Sequence, residues 1–207
     1  MSIAIAQARH IFGVKTGVAG NICYQDEQTI VYTSGAYCVL YNIDQKLQKF
    51  IPVSEKGNSM TAITVSPNRR YVAIAERGEE KATITIFDLH TLRRKKVLSS
   101  SEVQSTEYVS LAFSPDSKYL IAQGGKPDWT LLYWTWEKSK IMATTRTSNP
   151  QGNPPIYQVC WISPYSLFII ILGLRGASIA FRAQYCDKTH SAVFTITWFV
   201  GYIQPPG

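Results

Sequence analysis

Cysteine and histidine are scarce in this chain, and acidic side chains are outnumbered. Of 207 residues, four are Cys and three are His, and 14 Asp and Glu stand against 21 Lys and Arg. Cys23, Cys38, Cys160 and Cys186 contain no Cys-x-x-Cys pair. So few cysteines in so long a chain do not make a disulfide framework, and a reducing, intracellular setting is expected. His10, His90 and His190 lie far apart and none has a ligand-type neighbour, so no metal or other cofactor is expected. The leading stretch MSIAIAQARHIF has no basic region followed by a long apolar core, so it does not read as a secretory signal. Two apolar runs, at 166–181 and 192–203, fall short of the ~20 residues of a membrane-spanning helix, and Arg175 breaks the first. No membrane span is expected.

Catalytic constellations are missing too. Gly13, Gly17 and Gly20 in GVKTGVAG are not followed by Gly-Lys-Ser/Thr, so they read as turn glycines and not as a phosphate-binding loop. Asp26-Glu27 and Glu79-Glu80 fall in predicted turns, where solvation explains them better than acid–base chemistry. The expectation is a protein that is not an enzyme.

What is present is core-forming material and positive charge. The chain is 45% hydrophobic and 17% charged, enough apolar content to fold and too little charge for disorder. Its net charge of +7 favours acidic partners, with solubility as the plainer explanation.

A repeat organises the rest. VSPNRRYVAIA at 65–75 returns as FSPDSKYLIAQ at 113–123, forty-eight residues later. Ser66, Pro67, Asn68 and Tyr71 align with Ser114, Pro115, Asp116 and Tyr119. Proline presets φ at the second position of a turn and Asn or Asp suits the third, so each copy predicts a hairpin. The serines also precede proline, as a proline-directed kinase requires, but their recurrence at a fixed spacing favours the turn role. Downstream, ITIFDL (Ile84 to Leu89) matches LLYWTW (Leu131 to Trp136), and each leads through a charged turn to a fourth apolar segment, Lys96 to Leu98 and Lys140 to Ala143. A fainter copy precedes them, with strands expected at Ile22 to Tyr24, Thr29 to Thr33 and Cys38 to Ile43. Another begins at Ile156 and carries Ser163-Pro164. Four short strands per ~40–50 residues is the period of a propeller blade. The fold expected is all-β, a partial WD40-type β-propeller with three recognisable blades and the start of a fourth. One four-stranded sheet cannot bury both its faces, so blades must stack.

These copies resemble WD repeats, although Tyr41-Asn42, Phe87-Asp88 and Trp134-Thr135 stand where Trp-Asp would, and no clear Gly-His opens a blade. A closer resemblance lies in DEQTIVYTSGAYCVLYNIDQKLQKFIPVSEK (26–56), SPNRRYVAIAE (66–76), AFSPDSKYLIAQ (112–123), WTWEKSKIMA (134–143) and NPPIYQV (153–159). Over about residues 1–160 the chain resembles the N-terminal propeller of the cilia- and flagella-associated protein 57 family, whose propellers are followed by a long coiled coil. The resemblance implies a structural role in the motile axoneme, in the cilium or flagellum and its cytoskeleton. It implies partners among inner dynein arm and regulatory complex components and tubulin on doublet microtubules, and supplies no catalytic residue. A generic cytosolic or nuclear WD-repeat adaptor is the alternative.

Two features stand outside the repeat. Arg93-Arg94-Lys95-Lys96 is expected between the third and fourth strands of the second blade, on the propeller rim. It is either a solvated turn or a contact for an acidic partner such as tubulin. Nucleic acid is not expected, because the aromatics fall at strand positions. From Pro164 the blade pattern stops. The expected organisation is a partial propeller at 1–163 and a divergent apolar tail at 164–207, most simply two or three buried strands. A truncated or variant form of a longer propeller would account for that break.

Overall fold

The structure is a computed structural model that describes residues 9–53, 59–101, 103–147, 156–161, 167–173, 178–186 and 191–199. Among the described residues, sixteen strands fall into four antiparallel sheets of four. The first blade holds β1 (Ile22–Tyr24), β2 (Thr29–Ser34), β3 (Tyr37–Asn42) and β4 (Leu47–Pro52). The second holds β5 (Met60–Val65), β6 (Tyr71–Glu76), β7 (Thr83–Asp88) and β8 (Arg94–Leu98). The third holds β9 (Tyr108–Phe113), β10 (Tyr119–Gly124), β11 (Thr130–Thr135) and β12 (Lys140–Arg146). A fourth sheet holds β13 (Ile156–Trp161), β14 (Leu167–Gly173), β15 (Ser178–Cys186) and β16 (Ser191–Phe199). Strand order within every sheet follows the chain. The opening strands β5, β9 and β13 lie side by side, so the blades fan out from them and β4, β8 and β12 form the rim.

Stacking explains why the middle strands are apolar at nearly every position. All six residues of β6 are buried. Val72 and Ile74 join the core shared with the first blade, while Tyr71, Ala73 and Ala75 join the core shared with the third. β11 divides the same way: Leu132 and Trp134 face the second blade, and Leu131 and Tyr133 face the fourth sheet with Val159 and Trp161. A strand covered on both sides loses the apolar–polar alternation of a half-exposed one. Each fully buried Ile or Leu contributes about 1.5–3 kcal/mol.

The third strands start and stop one residue earlier than the apolar pattern predicts: Tyr37–Asn42, Thr83–Asp88 and Thr130–Thr135. In the second and third blades the residue after the strand stays apolar because it is buried. Leu89 is 3% exposed in the core between the first two blades, and Trp136, 1% exposed, opens a 3-10 turn (Trp136–Lys138) and fills the core between the second and third. The position of the basic run is corrected as well. β8 starts at Arg94, so only Arg93 lies in the turn and the other three residues form the outermost strand.

The N-terminal segment ties the first two blades together. Lys15 N–H donates to Thr33 O at 2.7 Å, and Ala19 forms a parallel bridge with Ala62 of β5, donating to Thr61 O at 2.8 Å and accepting the Ile63 N–H at 2.9 Å. Gly13, Gly17 and Gly20 all have positive φ, as turn glycines do. Gly20 is held there most firmly, because a Cβ on it would stand 2.5 Å from Ile63 O. The fourth sheet takes β13 from the copy that begins at Ile156 and three strands from the apolar segment after it.

Candidate acidic-partner interface

The two Ser-Pro turns are built alike. Ser66 Oγ donates to Asn68 Oδ1 at 2.6 Å and accepts the Tyr71 N–H at 2.9 Å. Ser114 Oγ donates to Asp116 Oδ1 at 2.5 Å and accepts the Tyr119 N–H at 2.9 Å. Arg69 and Ser117 close the turns onto the carbonyls of Ser66 and Ser114, both at 2.8 Å and both with φ near +60°. Pro67 and Pro115 are exposed at the second position, whereas Ser66 and Ser114 are 1% and 3% exposed. The hydroxyls therefore serve the turn. Ser163 and Pro164 lie outside the described residues.

The turns are also coupled between blades. Asn68 N–H donates to Ser117 Oγ at 3.1 Å, and Trp136 Nε1 donates to Ser117 O at 2.8 Å. The Trp136 indole stands edge-on to Tyr71 at 4.8 Å and to Phe113 at 6.2 Å. This end of the second and third blades is thus one rigid platform.

That platform is positively charged. Arg69, Arg70, Arg93, Lys118 and Lys138 are all exposed in its turns. Its acids are partly consumed by the fold. Asp116 accepts the Lys118 N–H at 3.1 Å as well as the Ser114 hydroxyl. Asp88 Oδ1 accepts the N–H groups of His90 and Thr91, each at 3.0 Å, and Oδ2 meets Arg70 Nε at 3.1 Å. Burial disfavours the Asp88 charge, but the Thr91 N–H, the Arg70 guanidinium and the His90 N–H outweigh it and hold the carboxyl below its ordinary value.

The run Arg93 to Lys96 continues the platform onto the rim. Arg93, Arg94 and Lys95 are exposed and Lys96 is half-buried. Among the described residues none of the four forms an ion pair. The sequence pattern missed Arg69, Arg70, Lys118 and Lys138 as members of the same surface. The signal was in the aligned turns, where Asn-Arg-Arg matches Asp-Ser-Lys.

Elsewhere the chemistry is quiet. An open cleft of about 630 Å³ on the opposite end is lined by Lys15, Thr61, Arg77, Glu107, Tyr108 and Trp129. Arg77 Nε donates to Glu107 Oε2 at 3.1 Å across it, joining the second and third blades. Burial, with a lesser contribution from Asp128, pushes the Tyr108 phenol up, so that group stays neutral. Burial also raises Cys23 and takes Cys38 to about 12, which leaves neither as a thiolate. His10 and His90 are separate exposed residues, and among the described residues no three His, Cys, Asp or Glu group as a metal site. No described helix is long and apolar enough to cross a membrane.

No protein-family model matches the chain. Individual proteins do. Cilia- and flagella-associated protein 57 of Mus musculus is 47% identical over 175 residues, 84% of this chain and 14% of that protein. Cilia- and flagella-associated protein 57 C of Tetrahymena thermophila is 27% identical, covering 67% of this chain and 11% of its own. Cilia- and flagella-associated protein 44 of Mus musculus is 28% identical over 66% of this chain and 7% of its own. The chain therefore spans about a seventh or less of these relatives. Among solved structures, Hsv2 of Kluyvelomyces marxianus superposes with a TM-score of 0.66 at 13% identity, covering 86% of this chain and 57% of that one. At that identity the likeness speaks for the β-propeller architecture alone. A strand-for-strand blade pattern, the superposition and 47% identity across most of its length agree: the chain belongs to the cilia- and flagella-associated protein 57 family.

Proposed function

We propose that this chain is a non-catalytic β-propeller scaffold of the motile cilium or flagellum. In this reading it associates with inner dynein arm and regulatory complex components on doublet microtubules, with Arg93 to Lys96 touching the acidic tubulin surface. The observation that carries it is the 47% identity to the mouse relative over 84% of the chain. The platform adds support, because its two turns, Trp136 and the basic strand form a rigid positive surface suited to a strongly acidic filament. In this reading residues 1–163 are the propeller portion and residues 164–207 a divergent apolar tail, three of whose strands join β13 in the fourth sheet.

A tagged chain expressed in multiciliated cells should fractionate with detergent-extracted axonemes. Recovery only in the soluble cytosol would favour a general adaptor instead. The quadruple Ala replacement at Arg93, Arg94, Lys95 and Lys96 should reduce co-sedimentation with purified doublets and leave the β-type circular dichroism spectrum intact. Unchanged co-sedimentation would remove the run from the interface.

A further inference from the structure

Three of the four residues in the basic run form a strand whose outer side has no strand partner among the described residues. We propose that the open edge of β8 binds an extended acidic peptide by strand addition. The peptide's main chain pairs with β8, and its carboxylates meet Arg93, Arg94 and the two lysines. This rests on reading the run as an acidic-partner contact, and not on where in the cell that partner resides.

β8 ends its sheet, so its outward N–H and C=O groups are available to another strand. Its composition separates it from the other rim strands. β8 (RKKVL) has three cations in five residues, β4 (LQKFIP) has one, and β12 (KIMATTR) has two, at its ends. Its register is distinctive too. Phe87 pairs with Arg94 and Ile86 with Lys96, which leaves Lys95 as an unpaired bulge. A bulge re-aims side chains, and here Arg94 and Lys95 are exposed in succession. The 3-10 turn at Trp136–Lys138, which carries Glu137 as well as Lys138, packs beside β8.

These charges select the occupant. A second copy of β8 would set three cations against three, which is destabilising across a strand pair. An apolar strand would offer nothing to compensate the desolvation of the cations. A Glu- or Asp-rich strand satisfies both the ladder and the charges. Nucleic acid fits less well. It has no strand edge to pair, and the one large apolar side chain exposed on β8 is Val97, at 46%. The other exposed large apolar side chains, Phe12, Ile22 and Tyr24 among them, belong to the first blade and the segment before it, so no stacking platform adjoins the cations.

The test uses the full chain and two fluorescein-labelled peptides of equal charge, one alternating Glu with Thr and one alternating Glu with Pro. Proline offers no N–H to a strand. By fluorescence anisotropy the Glu-Thr peptide should bind, weaken as salt rises, and slow amide exchange along β8. The Glu-Pro peptide should bind roughly tenfold more weakly, a difference set by the missing ladder bonds. A variant with Arg93→Gln, Arg94→Gln, Lys95→Gln and Lys96→Gln should lose binding. Lys95→Glu alone, on an exposed bulge, should weaken it several-fold even if the quadruple variant folds poorly. Equal binding of the two peptides would overturn strand addition and leave a diffuse acidic contact standing. Binding of neither would overturn both. Duplex DNA binding as tightly as the Glu-Thr peptide would replace the proposal with general polyanion binding.

Discussion

Asp88 shows how a single residue serves the fold in a position that sequence marks only faintly. It stands where a Trp-Asp dipeptide would place its aspartate, and its carboxylate collects two backbone N–H groups and Arg70. Asp128 is held similarly by the Ser105 hydroxyl, the Gln104 N–H at 2.9 Å and the Thr130 hydroxyl at 2.9 Å, and is lowered despite its burial. A carboxyl lowered by folding stabilises the folded state where it is ionised. That contribution is complete above the unfolded value of about 4 and is lost as pH falls through the lower folded value. Stability should therefore decline on acidification below about pH 4. An Asp88→Asn variant should be less stable at neutral pH and lose less on acidification. Parallel acid titrations of the two proteins by circular dichroism would count against the Asp88 account.

At the scale of elements, Trp136 is the clearest link between blades. It follows β11, caps the turn at the Ser-Pro end, and touches Tyr71, Phe113 and the Ser117 carbonyl. Trp136→Ala should cost about 3–5 kcal/mol, chiefly through the cavity it leaves. Because it joins two blades, the loss should appear as a lower denaturation midpoint, with increased exchange in both β6 and β10. A loss confined to the third blade would show that the blades are less coupled than the packing suggests. The strands themselves were legible in the sequence, since Ser-Pro-Asn/Asp turns and apolar runs sit at local positions that propensity can read. The β8 boundary was not legible. A run of four cations reads as a turn by composition, and only its pairing with β7 makes it a strand.

At the scale of the whole molecule, the two sides of the first blade have different fates. Val31, Cys38, Leu40 and Ile51 pack against the second blade. On the other side Ile22, Tyr24 and Tyr37 remain between 41% and 69% exposed. Seven of the eight large apolar side chains exposed among the described residues belong to this blade or to the segment before it. A patch of this kind on a soluble protein promotes association. Ile22→Ser with Tyr24→Ser should lower light scattering and dye binding at micromolar protein without lowering the melting temperature by more than about 1–2 °C. Unchanged scattering would place the sticky surface elsewhere. The basic platform was half legible at this scale. Arg93 to Lys96 announced itself as a run, but Arg69, Arg70, Lys118 and Lys138 come from separate turns that only the stacked blades bring together.

The sequence by itself determined the period, the hairpin turns and the family. These depend on local backbone preference and on residue identity, and both survive in a one-dimensional string. Tertiary structure decided which face of each strand meets which neighbour, and that the carboxylate of Asp88 is committed to Arg70 and two backbone amides. It also decided that the cations at 94–96 lie on an open strand edge. Those outcomes turn on register and stacking between residues tens of positions apart, where a one-residue shift exchanges the buried face for the exposed one.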